Sequence, residues 1–504
     1  MRRAKDIEIA LAPRPDGVSL QQWLYDEIRD AILTGRFAPG SRLPATRDLA
    51  TRFTISRGTV LGVFAQLTAE GYVSGAVGRG SFVAAELPER RLVARKRRPQ
   101  APQPAALSAV AHLGLSARGE LLSRTPFQVE GRAVPAPAFR PSQPDLAAFP
   151  FALWARLAAR RSRRAPRFSG DLLTDGEAQG YAPLRDAIAE HVRTARGIAC
   201  SGGNVVMLAS VQQALDLSAR LLLDPGDRAW MEDPGYPGAR FVLEAAGAQI
   251  VGVPVDSDGM DVTWARRHAP DARLAYVTAG RQAPLGAPLA LERRLALLAW
   301  AREKGALILE DDYDSEYRFE GRPLAALKSL DDSGHVIYCG TFSKLLFPAL
   351  RTAYAVVPDR LVDPFVAALS LTSRHLALDQ QSILHAFIAE GHFGRHIRRM
   401  RLLYGERAQA LKYSLDKHLG GLLELPAITT GLDTPAFLPL KTDDTLAARQ
   451  AAAAGVETRP LSYYGFERPV PPGLVLGFAA VDVDAIGQGA VRLARALERI
   501  ASSR

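Results

Sequence analysis

The run Tyr338-Cys-Gly-Thr-Phe-Ser-Lys-Leu-Leu-Phe-Pro-Ala-Leu-Arg351 sets one lysine, Lys344, just after Thr341 and Ser343 and seven residues before Arg351. Upstream, Ile308-Leu-Glu-Asp-Asp-Tyr-Asp-Ser-Glu-Tyr317 starts apolar, turns acidic at Asp311 and reaches a phenol at Tyr313. These residue types can hold a phosphorylated pyridine aldehyde. Lys344 supplies the amine for a Schiff base, Asp311 keeps the ring nitrogen protonated, and Tyr313 donates to the ring hydroxyl. Thr341, Ser343 and Arg351 take the phosphate. The set points to pyridoxal 5'-phosphate (PLP) as cofactor. A lysine in a loop is ordinarily just solvated, and Asp311-Asp312 could simply be a surface acid pair. The apolar strand before Lys344 and the arginine after it favour the chemical reading.

Two further segments fit the same ligand. Trp230-Met-Glu-Asp-Pro-Gly-Tyr-Pro237 puts Tyr236 on a turn, where its ring would stack on a pyridine face. A half-buried turn aromatic explains that residue equally well. Ser210-Val211-Gln212 lies between a strand and a helix, so its N–H groups would meet a phosphate at a helix N-terminus. No metal site is expected.

The elements that must position these groups are read from residue 139 onward. Short apolar strands are expected at 204–208, 228–231, 249–253, 274–277, 307–309, 336–338 and 353–356, alternating with helical patterns. That alternation means a largely parallel sheet covered by helices. From about residue 375 helices dominate, with strands returning near 436–440 and 474–479, as in a smaller α+β subdomain. No internal repeat is visible.

The first residues carry a different pattern. Leu24, Ile28, Ala31 and Ile32 recur at helical spacing, and Gly35 and Pro39-Gly40 end that helix. Leu43-Pro-Ala-Thr-Arg-Asp-Leu-Ala50 reads as a second helix with Pro44 in its first turn. Ser56 caps a third, running from Arg57 to about Glu70. Residues 72–83 then read as two short strands around a glycine turn. Three helices and a hairpin make a winged helix-turn-helix over residues 1–84. Ser56, Arg57 and Thr59 sit at the end a recognition helix turns to the major groove. Arg47 opens the preceding helix, and Arg79 with Gly80 occupies the wing tip. Each arginine alone would pass as a solvated residue; together in one fold-sized block they suggest double-stranded DNA.

Composition sets the bounds. A chain of 504 residues is too long for one core, and 47% hydrophobic with 23% charged residues is ordinary for a globular protein. The net charge is +10, and residues 1–98 hold 17 Lys and Arg against 10 Asp and Glu. Such a basic block fits nucleic-acid contact. Two cysteines, Cys200 and Cys339, make no disulfide framework, and with no apolar run near ~20 residues a cytoplasmic protein without a membrane segment is expected. Residues 85–138, basic and then rich in proline and alanine, read as a flexible linker with a weak helix near 106–116, leaving 139–504 as the large domain.

Residues 20–84 resemble the GntR superfamily of bacterial regulators. The match is carried by Ile32-Leu-Thr-Gly-Arg36, Pro39-Gly-Ser-Arg-Leu-Pro44, Arg47-Asp-Leu-Ala50, Ser56-Arg-Gly-Thr-Val60 and Leu67-Thr-Ala-Glu-Gly-Tyr-Val73. The resemblance implies that Arg47, Ser56, Arg57, Thr59, Arg79 and Gly80 face DNA. Residues 139–500 resemble fold-type I aminotransferases. The two parts joined resemble the MocR (GabR-like) regulators, with further matches at Gln179-Gly-Tyr-Ala-Pro-Leu-Arg185, Leu222-Leu-Asp-Pro-Gly-Asp227 and Glu390-Gly-His-Phe-Gly-Arg395. It implies PLP on Lys344, a domain-swapped head-to-tail homodimer and transcription controlled by a small effector: PLP, an amine or an amino acid.

Three departures from the family pattern stand out. A loop that usually reads Thr-Pro-Ser-His-Gln-Phe-Pro-Thr-Gly is Thr278-Ala-Gly-Arg-Gln-Ala-Pro-Leu-Gly286 here, with Arg281 and Ala283 unusual. The phosphate turn reads Leu208-Ala-Ser-Val-Gln-Gln213 and lacks the usual glycine. Val475 stands where amino-acid-processing relatives carry the arginine for a substrate carboxylate, leaving Arg281 as one alternative cation for an effector. Three readings follow: a PLP-dependent regulator, a working aminotransferase with a DNA-binding domain, and a regulator whose core has lost PLP. Lys344, Asp311, Tyr313 and Arg351 argue against the last, and Val475 with the altered loop argues against the second.

Overall fold

The computed structural model describes residues 11–15, 17–76, 80–85, 87, 114–124, 127, 134–164, 175–321 and 324–502. The chain divides into two compact units, Met1–Ala111 and His112–Arg504.

In the first unit, helix α1 (Leu20–Leu33) starts where the Ser19 side chain accepts from the Gln22 N–H, and it buries Leu24, Ile28, Ala31 and Ile32. That spacing makes one apolar stripe. Helix α2 (Thr46–Arg52) begins after Pro44, not with it. The reason is tertiary: the Leu43 N–H donates to the Ser81 carbonyl at 2.8 Å and Arg42 bridges Phe82, so this stretch is drawn onto the hairpin edge. Helix α3 (Arg57–Ala69) is capped by Ser56, whose hydroxyl accepts from the Thr59 N–H at 3.0 Å, and Gly71 follows its end at φ +85°. Strands β1 (Val73–Ala76) and β2 (Gly80–Val83) pair antiparallel, from Val73 opposite Val83 to Ala76 opposite Gly80. Val60, Val63, Phe64 and Leu67 of α3 join the α1 stripe, Leu49 and Val83 in one core.

The second unit is built on an eight-stranded sheet. Its strands are β3 (Val205–Leu208), β4 (Arg228–Asp233), β5 (Gln249–Asp256), β6 (Gly259–Met260), β7 (Leu274–Val277), β8 (Leu307–Asp312), β9 (Val336–Thr341) and β10 (Ala353–Val356). Their order is β3-β10-β9-β8-β7-β4-β5-β6. The stretch from β9 to β5 is parallel, while β10 runs antiparallel to both β3 and β9. Strands β3, β7, β8, β9 and β10 are buried along their whole length, which is why they read as apolar runs and not as alternation. At Gly340, opposite Tyr354, a Cβ would stand 2.4 Å from the tyrosine ring, so only glycine admits that pairing.

A smaller three-stranded antiparallel sheet, β11 (Asp433–Phe437), β12 (Arg459–Pro460) and β13 (Gly473–Gly477), lies in the order β11-β13-β12 beside helices His392–His418, Asp444–Ala453 and Val483–Ser502. The first of these strands lies at Asp433–Phe437, ahead of the expected 436–440, and Leu438 extends its register by donating to the Pro472 carbonyl at 2.8 Å. Residues 138 and 139 bridge Val456 and Gly477, tying the start of the large unit to this sheet.

Within the segment read as a linker, Ala117–Ser123 is a helix capped by Ser116, and it lies against helix Pro237–Ala245. The Phe127 ring faces Tyr236 at 6.4 Å. The composition therefore overstates the tether: its second half includes pieces packed on the large unit. Of the helix expected at 106–116, only residues 114–116 are described.

Candidate functional site

The DNA-facing residues are placed by α2 and α3. Arg47 and Arg57 are exposed in the first turns of these helices. Ser56 and Thr59 are bonded to each other, Oγ to Oγ1 at 2.8 Å, so the Ser56 hydroxyl acts as the helix cap. Gly80 opens β2 at φ +98°, with the Arg42 guanidinium 3.0 Å from where a Cβ would stand. Arg79 lies outside the described residues.

The second cluster sits at the carboxyl ends of β4, β7, β8 and β9, the edge where parallel sheets take ligands. Lys344 lies on a one-turn helix, Phe342–Leu345, directly after β9, and the Thr341 hydroxyl accepts from the Ser343 N–H at 3.2 Å to cap it. Its Nζ donates to the Ser142 carbonyl at 2.8 Å.

Asp311, near the end of β8, is buried. Its Oδ2 accepts from the Tyr276 hydroxyl at 2.8 Å, whereas Oδ1 is buried with no hydrogen-bond partner among the described residues. Burial pushes this carboxyl up to about 7, with the Tyr276 hydrogen bond and the Lys344 charge pulling it down. Its neighbour Asp312 plays another part: it pairs with buried Arg196 at 2.8 Å and accepts from Tyr338 at 2.8 Å.

Tyr313 accepts from Arg281 Nη1 at 2.8 Å. Arg281 is itself buried, paired with Asp314 at 3.2 Å and with Asp433 at 3.0 Å. Burial raises Asp314 to about 7, against the pull of Arg281. The other Asp433 oxygen accepts from the Ser142 N–H at 2.8 Å and hydroxyl at 2.9 Å. A continuous path thus runs from Arg281 through Asp433 and Ser142 to Lys344. The sequence offered Arg281 as a free cation for an effector; the structure corrects this, because its charge is matched by two carboxylates.

Ser210 caps helix Val211–Leu222 by accepting from the Gln213 N–H, so Val211 and Gln212 lead that helix with their N–H groups. Tyr236 is half-buried at the head of helix Pro237–Ala245, and its hydroxyl donates to Gln212 at 3.3 Å, joining these two segments. Burial, reinforced by the Asp311 charge, raises the Tyr236 phenol far above its usual range. Arg351 is exposed, with left-handed backbone at φ +47°.

Sequence reasoning missed Ser142, Tyr276 and Asp433. Tyr276 looked like any residue of a buried strand. Ser142 and Asp433 lie far from the lysine motif in sequence, and only the fold joins them. Ser142 carries one backbone sign, φ +57° in a non-glycine residue, that no pattern announces.

Two family models match the chain: bacterial regulatory proteins of the gntR family over residues 20–83, and aminotransferase class I and II over residues 161–447. The chain is 39% identical to the probable rhizopine catabolism regulatory protein MocR of Rhizobium meliloti, across 97% of this chain and 96% of that protein. It is 34% identical to the transcriptional regulator TauR of Rhodobacter capsulatus, across 97% and 98%. Among solved structures it is similar to the α-aminoadipate aminotransferase LysN of Thermus thermophilus, complexed with N-(5'-phosphopyridoxyl)-L-leucine. That likeness has a TM-score of 0.66 at 28% identity and covers 73% of this chain and 93% of that one.

Proposed function

The chain belongs to the MocR-type transcriptional regulators, which join a GntR-type DNA-binding domain to an aminotransferase-like domain, and from that premise we propose that it controls transcription through PLP held at Lys344. The observation that carries this reading is the buried Asp311 Oδ1 without a partner. A buried carboxylate oxygen left unpaired is costly, and a protonated ring nitrogen is the donor that would satisfy it. The other groups fit the same ligand. Tyr313 would meet the ring hydroxyl, Tyr236 the ring face, and the Ser210–Val211 N-terminus with Thr341, Ser343 and Arg351 the phosphate. Bound there, PLP supplies a reactive aldehyde and an electron-withdrawing ring for amines. The chain's own task is to hold Lys344 in place through Ser142 and to keep the ring nitrogen charged through Asp311.

The domain is read as a sensor and not a turnover enzyme, because apolar Val475 offers no cation to clamp an α-carboxylate and align the reacting bond. Steady-state transamination at ordinary rates, about 1–10³ s⁻¹, would overturn that part. The effector is a small amine or amino acid or PLP itself, and the working form is a cytoplasmic head-to-tail homodimer. In support, Arg351 is exposed in the single chain. Purified protein should run as a dimer, absorb in the visible, and yield, after borohydride, a pyridoxyl adduct on Lys344. A monomer with full cofactor, or an adduct that survives Lys344→Ala, contradicts the assignment.

A further inference from the structure

Arg459 lies on β12 directly opposite Val475 on β13. Opposed residues of an antiparallel pair project to the same face, with Cβ atoms about 4.5–5.5 Å apart. The Arg459 guanidinium is therefore offered from the face that Val475 leaves apolar. It is half-buried and stacks on the Tyr463 ring at 4.9 Å, while Tyr463 and Tyr464 meet edge to face at 5.3 Å. Among the described residues it forms no ion pair with a carboxylate, in contrast to Arg196 and Arg281.

The loop beside it is fastened to the cofactor-side turn. The Gly235 N–H donates to the Tyr464 carbonyl at 3.0 Å, and Asp233 accepts from the Phe466 and Glu467 N–H groups, each at 3.1 Å. That turn carries Tyr236, whose phenol lies within the fields of both Arg459 and Asp311. A guanidinium with no carboxylate partner among the described residues thus sits on the strand that leads into this loop, stacked on Tyr463 and bonded to the Tyr464 phenol.

We propose that Arg459, backed by Tyr463 and Tyr464, is the anion-binding end of the effector site and selects amines that carry a carboxylate. This rests on the PLP reading given above. The carboxylate is drawn to β12, one strand away from position 475, so the ligand is bound by both ends without the alignment that transamination needs.

The test is a titration of the PLP-loaded full-length protein with matched probes, read from its visible band and from calorimetric heat. β-Alanine is paired with ethylamine, and 4-aminobutanoate with propylamine. Wild type should favour the carboxylate member by about 10- to 100-fold, the range of one charge-assisted hydrogen-bonded pair. Arg459→Gln should erase the preference while leaving the amine affinities unchanged, and Arg459→Lys should restore part of it. Adding Val475→Arg to Arg459→Gln should bring a carboxylate preference back from the other strand. Equal midpoints within each pair, no response to either amino acid, or a preference that survives Arg459→Gln overturns the inference alone. A purified protein with no visible band takes the PLP reading down with it.

Discussion

The Lys344 amine donates to the Ser142 carbonyl at 2.8 Å, across 202 positions of sequence. Ser142 is held from its other side by Asp433, and Asp433 by Arg281. The peptide carrying that carbonyl belongs to the segment that ties the start of the large unit to the small sheet through Ala138 and Phe139. A ligand that engages the Lys344 nitrogen must release this carbonyl or share it. The bond therefore joins the chemistry of one lysine to the way the large unit is fastened at its N-terminal end.

Removing Arg281 should be severe. Arg281→Ala leaves Asp314 and Asp433 buried without their cation, and breaking a buried pair from one side costs about 3–5 kcal/mol. Urea unfolding of PLP-free protein measures it. A loss below about 1 kcal/mol would mean that the network from Arg281 to Lys344 does not hold the site together.

The pH dependence of the cofactor-free protein should betray Asp311. Burial raises its carboxyl to about 7, from an ordinary value of about 3.9. Between those values the folded chain keeps a proton that the unfolded chain has released, so this group makes stability fall as pH rises through the window. Asp311→Asn removes the buried charge. The variant should exceed wild type at pH 8 by on the order of 1–3 kcal/mol and lose that advantage near pH 5. A stability difference that is the same at both pH values contradicts the reading.

On DNA, Arg57→Ala should weaken specific binding by about 1–3 kcal/mol and relax sequence preference, as expected for a lost base contact. Arg47→Ala should weaken all sequences evenly and flatten the salt dependence, as expected for a phosphate contact. Footprinting and anisotropy at two salt concentrations separate the two. Unchanged affinity and preference in Arg57→Ala would remove α3 from the groove.

Much of this was legible in the sequence, and the divisions have physical causes. Periodicity announced α1, because its buried stripe follows helical spacing, and the cap residue Ser56 announced α3, with its partner three positions on. The start of α2 was misplaced, because a tertiary bond from Leu43 to Ser81 overrode the local preference of Pro44. The apolar strands of the large sheet were visible as runs because they are buried on both faces, and Asp311 stood out by ending one of them. Ser142, Tyr276 and Asp433 were invisible because a loop serine, a strand tyrosine and a strand acid carry no pattern until topology brings them to one sheet edge. Arg459 needed the strand register: read along the chain it is one arginine among many, and read across β12 and β13 it faces Val475.

The most direct test is an anisotropy titration of an operator, selected from genomic DNA by the full-length protein, against three samples. These are wild type stripped of PLP, wild type reloaded with PLP, and Lys344→Ala incubated with PLP, each with and without 4-aminobutanoate. The account predicts that PLP or PLP with the amine shifts the wild-type isotherm, and that Lys344→Ala follows the stripped protein throughout. Superimposable wild-type isotherms under every condition would contradict it.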